Sequence, residues 1–160
     1  LAAGKLDFAI DVLLPVSNHT SHELLRQDRL VVLARGGHPV VKDGLDMDSY
    51  LAAKHVLVSS RTEGPGIEDF ELSRRGVRRN IRLRCQHYYA ACRVVENSDL
   101  LLTMPETYAR IIAERSDIQV MSPPAQLPSL DVHLYWHKAY EGEPALVWFR
   151  DLLRSLSGNQ

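Results

Sequence analysis

The stretch "LRCQHYYAACRVVENSDLLLTMPE", Leu83 to Glu106, decides the fold class because it switches period three times. Ile81, Leu83 and Cys85 alternate with Arg82 and Arg84, the two-residue period of a strand. Tyr88, Ala91, Cys92 and Val95 then recur at i, i+3, i+4 and i+7, one face of a helix. "DLLLTM" (Asp99–Met104) returns to a strand. Pro105 suits the first position of the next helix, which carries Tyr108, Ile111 and Ile112. Both cysteines of the chain and His87 also lie here, so the stretch reads as a thiol or metal centre, a catalytic site, or the floor of a pocket.

Working outward, the same alternation continues. Ahead of the stretch, "RLVVLA" (Arg29–Ala34) reads as a strand and "GGHP" (Gly36–Pro39) as its punctuation. Asp46 caps a short helix bearing Met47, Tyr50 and Leu51. "HVLVSS" (His55–Ser60) is a β-branched strand, and Ile67–Arg75 a helix stopped by Gly76. Behind it, "IQVMS" (Ile118–Ser122) and "VHLYWH" (Val132–His137) are strands. A last helix starts near Pro144, with Ala145, Trp148, Phe149, Leu152, Leu153 and Leu156 as its apolar stripe. Alternating strands and helices predict an α/β fold with a largely parallel sheet. The connectors at Gly36–Pro39 and Ser122–Pro128 mark the natural lobe changes. They predict a discontinuous first lobe, 1–36 plus 122–160, around a continuous second lobe, 37–121, with a ligand cleft between the two. At the start, Gly4 resembles a helix C-cap, and Leu6, Phe8 and Ile10 alternate as a strand. A helix ending at Gly4 must begin earlier, so the chain is expected to be truncated at its N-terminus.

Composition narrows the function classes. The chain has 160 residues, 45% hydrophobic and 24% charged, which suits a folded globular protein. A net charge of −1 argues against a dedicated nucleic-acid-binding fragment. No apolar run approaches a membrane span. Two cysteines do not make a disulfide framework and suit a reducing compartment, so a cytoplasmic location is expected.

In open α/β sheets, ligands bind beyond the carboxyl ends of strands, where helix N-termini present free N–H groups. The junctions Cys85–Tyr89, Thr103–Thr107 and Ser59–Gly66 qualify. Ser59, Ser60, His87, Tyr88 and Thr103 supply hydrogen bonds there. Tyr88, Met104 and Pro105 supply apolar surface, and the helix dipoles favour an anionic ligand group. Against this, Ser59 and Thr103 could merely cap helices and Tyr88 could pack in the core. Cys85 and Cys92 read as two buried thiols. Cys85 with His87 as nucleophile and base lacks an orienting acid. "HTSH" (His19, His22) reads as a solvated loop, and His133 with His137 is weak evidence for a metal. No metal and no cofactor are expected. "RRGVRRNIRLR" (Arg74–Arg84) reads as a solvated or subunit-contacting face, with Glu71 and Arg75 paired at i, i+4.

The ordered segments "GKLDFAI", "RLVVLARGGHPV", "HVLVSS", "LSRRGVRRNIRLRCQHYYAACRVVENSDLLLTMPE" and "VHLYWHKAYEGEPALVWFRDLL" resemble the effector-binding domain of LysR-type transcriptional regulators. The similarity is greatest to the branch answering aromatic compounds and nodulation flavonoids, and it covers nearly the whole chain. It implies the fold of a type 2 periplasmic binding protein, with two α/β lobes, two crossovers and a first lobe that is incomplete here. It implies a small-molecule effector contacting Ser59, Ser60, His87, Tyr88, Thr103, Met104 and Pro105. It also implies no enzymatic activity, dimers through this domain, tetramers at full length, and DNA contact only through an N-terminal helix-turn-helix outside this chain. A solute-binding protein of a transport system, with the same fold, is the alternative.

Overall fold

The structure is a computed structural model that describes residues 1, 6–12, 15–41 and 44–158. The expected cap at Gly4 lies outside the described residues. The chain divides into two compact units, one formed by Leu1–Asp28 with Ser129–Gln160 and the other by Arg29–Pro128.

Among the described residues, the first unit is a three-stranded antiparallel sheet with one α-helix and a short 3-10 turn at Lys138–Tyr140. Its strands are β1 (Phe8–Val12), β2 (Thr20–Asp28) and β8 (Leu130–His137), in the order β1-β8-β2. Its helix α5 (Pro144–Leu156) opens with Pro144 at the first turn, and Glu143 accepts from the Leu146 amide at 3.0 Å. Leu25, Leu134 and Trp136 form the buried centre, with Phe8 and Leu153 packed against them. Most of the apolar stripe on α5 is uncovered: Trp148 is 66% exposed and Leu156 73%. The "HTSH" segment is not a loop throughout. His22 sits on β2 opposite Tyr135, and its Nδ1 lies 3.2 Å from Nδ1 of His133.

The second unit is a five-stranded sheet, with helices on both faces. Its elements are β3 (Leu30–Arg35), α1 (Met47–Ala52), β4 (Lys54–Val58), α2 (Ile67–Arg74), β5 (Asn80–Cys85), α3 (Tyr88–Glu96), β6 (Leu100–Pro105), α4 (Glu106–Ala113) and β7 (Ile118–Met121). The strand order is β5-β4-β6-β3-β7. Strands β4, β5 and β6 are parallel, while β3 runs antiparallel to β6 and β7. The parallel character expected from the alternation therefore holds for three strands only.

Strand β3 shows why the sheet is buried on both sides. Val31 and Leu33 enter one core with Ala91, Cys92, Val95, Leu102 and Met104. Val32 and Ala34 enter the other with Tyr50, Leu72 and Leu101. An interior strand covered on both faces reads as a continuous apolar run, as "LVVLA" does. This burial places β3 with the second unit, whereas the expected boundary at residue 36 assigned it to the first. The connector after β7 stays with the second unit as well: Ala125 is buried, and Arg75 reaches the carbonyl of Gln126.

Two local expectations shift. Pro105 is the last residue of β6, paired with Leu30, and helix α4 begins one residue later at Glu106. On α4 it is Ala109 that is buried and Ile112 that packs on the core, whereas Tyr108 and Ile111 face solvent.

Candidate functional site

Because β4, β5 and β6 are parallel, Val58, Cys85 and Pro105 end on one edge of the sheet. The chain leaves these ends on different faces. From β4 it goes to α2, whose Leu72 packs in the core of Tyr50 and Leu101. From β5 and β6 it goes to α3 and α4, which pack in the core of Leu102 and Met104. A crevice opens where neighbouring connections diverge in this way. Here the two divergences flank β4, and a cavity at this end of the sheet is lined by Gln86, His87, Tyr88, Tyr89, Ala90 and Tyr108.

Of the residues the sequence proposes, Ser59, Ser60, His87 and Tyr88 lie on this edge. The Ser59 amide donates to the Cys85 carbonyl at 2.9 Å, tying the ends of β4 and β5 together, and its Oγ accepts from the Arg61 amide at 3.1 Å. Ser60 is exposed. His87 is the N-cap of α3, but its side chain makes no capping bond, so the first-turn amides have no side-chain acceptor. Tyr88 is half-buried, with its ring edge-on to Tyr108 at 6.0 Å between centroids. Burial pushes its hydroxyl up to about 12, helped by the charge of Glu68, so it stays a neutral donor.

Thr103, Met104 and Pro105 are buried behind the edge. Met104 points into the α3 side, where the Cys92 thiol lies 3.7 Å from its sulfur. The Thr103 Oγ1 lies 3.0 Å from the Tyr50 hydroxyl and accepts from Arg79 Nη1 at 3.4 Å. Thr103 thus belongs to an interior polar network.

That network was not legible in the sequence. Arg79 lies inside the arginine-rich run, yet its side chain is wholly buried, so the solvated-face reading fails at this position. It donates to Glu68 at 2.5 Å and to Asp69 at 2.6 Å. Burial opposes its charge, but the bond it donates to Asp69 and the charge of Glu68 outweigh that and hold it firmly protonated. The acidic pair opening α2 was the available signal; spacing alone could not say which arginine folds back onto it. The surface part of the run behaves as expected, with Arg75 3.3 Å from Glu71. His55 is also buried: its Nε2 donates to the Tyr50 carbonyl at 2.7 Å, and its Nδ1 has no partner. Burial pulls its pKa down to about 4, so the ring is neutral.

At the start of α4, Glu106 accepts from Arg29 and from Arg110, and these bonds, Arg29 first, hold its carboxyl down to about 2. The Cys85 sulfur points to the His87 carbonyl at 3.7 Å, a geometry that does not pair it with the imidazole as nucleophile and base. Cys85 is half-exposed; only Cys92 is fully buried. Among the described residues, no three His, Cys, Asp or Glu side chains form a group able to hold a metal, and no helix is long and apolar enough to cross a membrane.

A family profile, the LysR substrate binding domain, matches residues 1–157. The chain belongs to this family. Its fold is the type 2 periplasmic-binding-protein-like fold of LysR effector-binding domains. Among LysR relatives, the HTH-type transcriptional activator NahR of Pseudomonas putida is 30% identical over 98% of this chain and 52% of its own. Nodulation protein D 1 of Rhizobium tropici is 28% identical over 96% of this chain and 50% of its own. The crystal structure of the probable transcriptional regulator PA0477 from Pseudomonas aeruginosa superposes with a TM-score of 0.87 at 29% identity, covering 97% of this chain and 51% of that one. The chain thus spans about half the length of these LysR relatives.

Proposed function

We propose that this LysR domain is the effector-sensing part of a DNA-binding transcription regulator and is not an enzyme. The observation that carries the reading is the shared edge of β4, β5 and β6, where His87 and Tyr88 line a cavity at a helix start with no side-chain cap and Ser59 and Ser60 follow the end of the neighbouring strand. Such an edge suits a small ligand with a carboxylate or other anionic group. Pro105 forms part of its floor, and Thr103 and Met104 support it from beneath. Relatives such as the HTH-type transcriptional activators NahR and NagR are transcription regulators by name, which favours regulation over solute transport.

DNA recognition is assigned to the part of the relatives' length that this chain does not span. The domain would dimerise, with tetramers at full length, and ligand binding would act by favouring one oligomer conformation over another. Titration calorimetry on the full-length protein with small aromatic acids tests the site. Binding that weakens at least about tenfold in a Ser60→Ala, His87→Ala double variant is expected. Unchanged affinity in that variant would remove the assignment.

A further inference from the structure

The loop from Ser59 to Gly66 leaves the edge just described at the end of β4, and hydrogen bonds hold its shape. At its start, the Ser59 amide is bonded to Cys85. In its middle, the Gly64 carbonyl accepts from Arg84 at 2.6 Å. At its end, the Gly66 amide donates to Asp69 Oδ2 at 2.6 Å. The other oxygen of Asp69 is taken by Arg79 Nε at 2.6 Å, and Arg79 also reaches Glu68 and Thr103. Thr103 in turn meets the Tyr50 hydroxyl. A continuous series of bonds therefore runs from Tyr50 and β6, through Arg79 and Asp69, to the Gly66 end of the loop.

Stability alone does not account for this arrangement. Taking a guanidinium and two carboxylates out of water costs several kcal/mol per ion, and an apolar trio of similar volume is often as stable. What the charged cluster supplies is direction. A guanidinium has a planar fork of fixed donors, so it sets Asp69 relative to Thr103, and Asp69 sets Gly66. A lysine would keep the charge but lose the fork.

We propose that Arg79 is a positioning residue for the ligand-binding wall: through Asp69 and Gly66 it fixes the Ser59–Gly66 loop relative to the end of β6. The proposal rests on the effector-site reading above for what the wall contacts, but not for the geometry itself.

The experiment is amide hydrogen exchange on the full-length protein, comparing wild type, Arg79→Lys and Leu72→Ala. Leu72 is 1% exposed and packs α2 on the sheet in the core that includes Tyr50, but as an apolar side chain it takes no part in the hydrogen bonds of the network, so its truncation serves as a control for general destabilisation. In Arg79→Lys, exchange at the Arg61 and Gly66 amides is expected to rise by about tenfold or more, with less than about a threefold rise at Val32 and Leu33. In Leu72→Ala the loop and β3 amides are expected to rise together. Equal loop opening in both variants, or no opening in Arg79→Lys, overturns the proposal.

A second arm measures binding of benzoate as the probe. About tenfold weaker binding in Arg79→Lys but not in Leu72→Ala supports the positioning role. Equal binding in wild type and Arg79→Lys despite a loosened loop overturns the link to the ligand. If the wild type itself takes up no benzoate, the failure counts against that probe and the effector reading, and the exchange arm decides the role of Arg79.

Discussion

His55 offers the sharpest test of the interior. Its ring is buried, its Nε2–H is committed to the Tyr50 carbonyl, and Nδ1 faces no donor. Adding a proton there places a charge in an apolar interior close to the cation of Arg79, while the Tyr50 carbonyl and Asp69 compensate only in part. The folded-state pKa of about 4 lies below the ordinary 6.5, so the unfolded chain binds the proton first. Above pH 6.5 both states are neutral and the group adds nothing pH-dependent. As pH falls below 6.5 only the unfolded state is protonated, and stability declines until the folded state also titrates near 4. At 1.36 kcal/mol per unit, the difference between 6.5 and about 4 amounts to roughly 3 kcal/mol. The perturbation is His55→Gln, which keeps an amide donor but cannot titrate. Urea denaturation of both proteins from neutral pH down to about 4 gives two stability curves, and their difference cancels the carboxylates common to both. Wild type should lose about 3 kcal/mol relative to the variant across this window, steepest between pH 6.5 and 4. Parallel curves, or a ring titrating near 6.5 by NMR in the folded protein, would refute the burial argument.

Three further outcomes follow from particular contacts. Thr103→Val takes from the Tyr50 hydroxyl its threonine partner, leaving it Arg79, and removes one Arg79 bond, so a loss of about 1–3 kcal/mol is expected in urea denaturation. Gly76 ends α2 with φ of +74°, so Gly76→Ala should cost about 1–2 kcal/mol by the same measurement. Cys92 is buried with its thiol pushed up to about 11, so mass spectrometry should show a thiol reagent labelling Cys85 in the folded protein and Cys92 only after unfolding.

Much of the fold was legible because local periodicity survives in it. The Tyr88, Ala91, Cys92 and Val95 face of α3 is a core face, with Ala91, Cys92 and Val95 buried. Asp46 caps α1 by accepting from the Ser49 amide at 2.7 Å, and Gly76 stops α2 in the left-handed region, because caps and stops depend on residues a few positions apart. Strand β2 escaped notice because "TSHELLRQD" lies at a sheet edge and carries a register shift between Leu24 and Arg26, which breaks its alternation. Four of the proposed site residues, Ser59, Ser60, His87 and Tyr88, sit on the common edge because strand ends are where α/β sheets expose helix starts.

The sequence by itself determined the order of most elements, several helix ends and the strand-end junctions, since each depends on short-range chemistry. Tertiary structure alone decided that β3 joins the five-stranded sheet, that Thr103 faces inward to Tyr50, and which arginine of the run is buried. Those outcomes depend on side chains brought together from distant positions: Arg79 meets Thr103 across 24 residues, and Tyr50 meets it across 53. No local pattern records which charges meet when a sheet is covered on both faces.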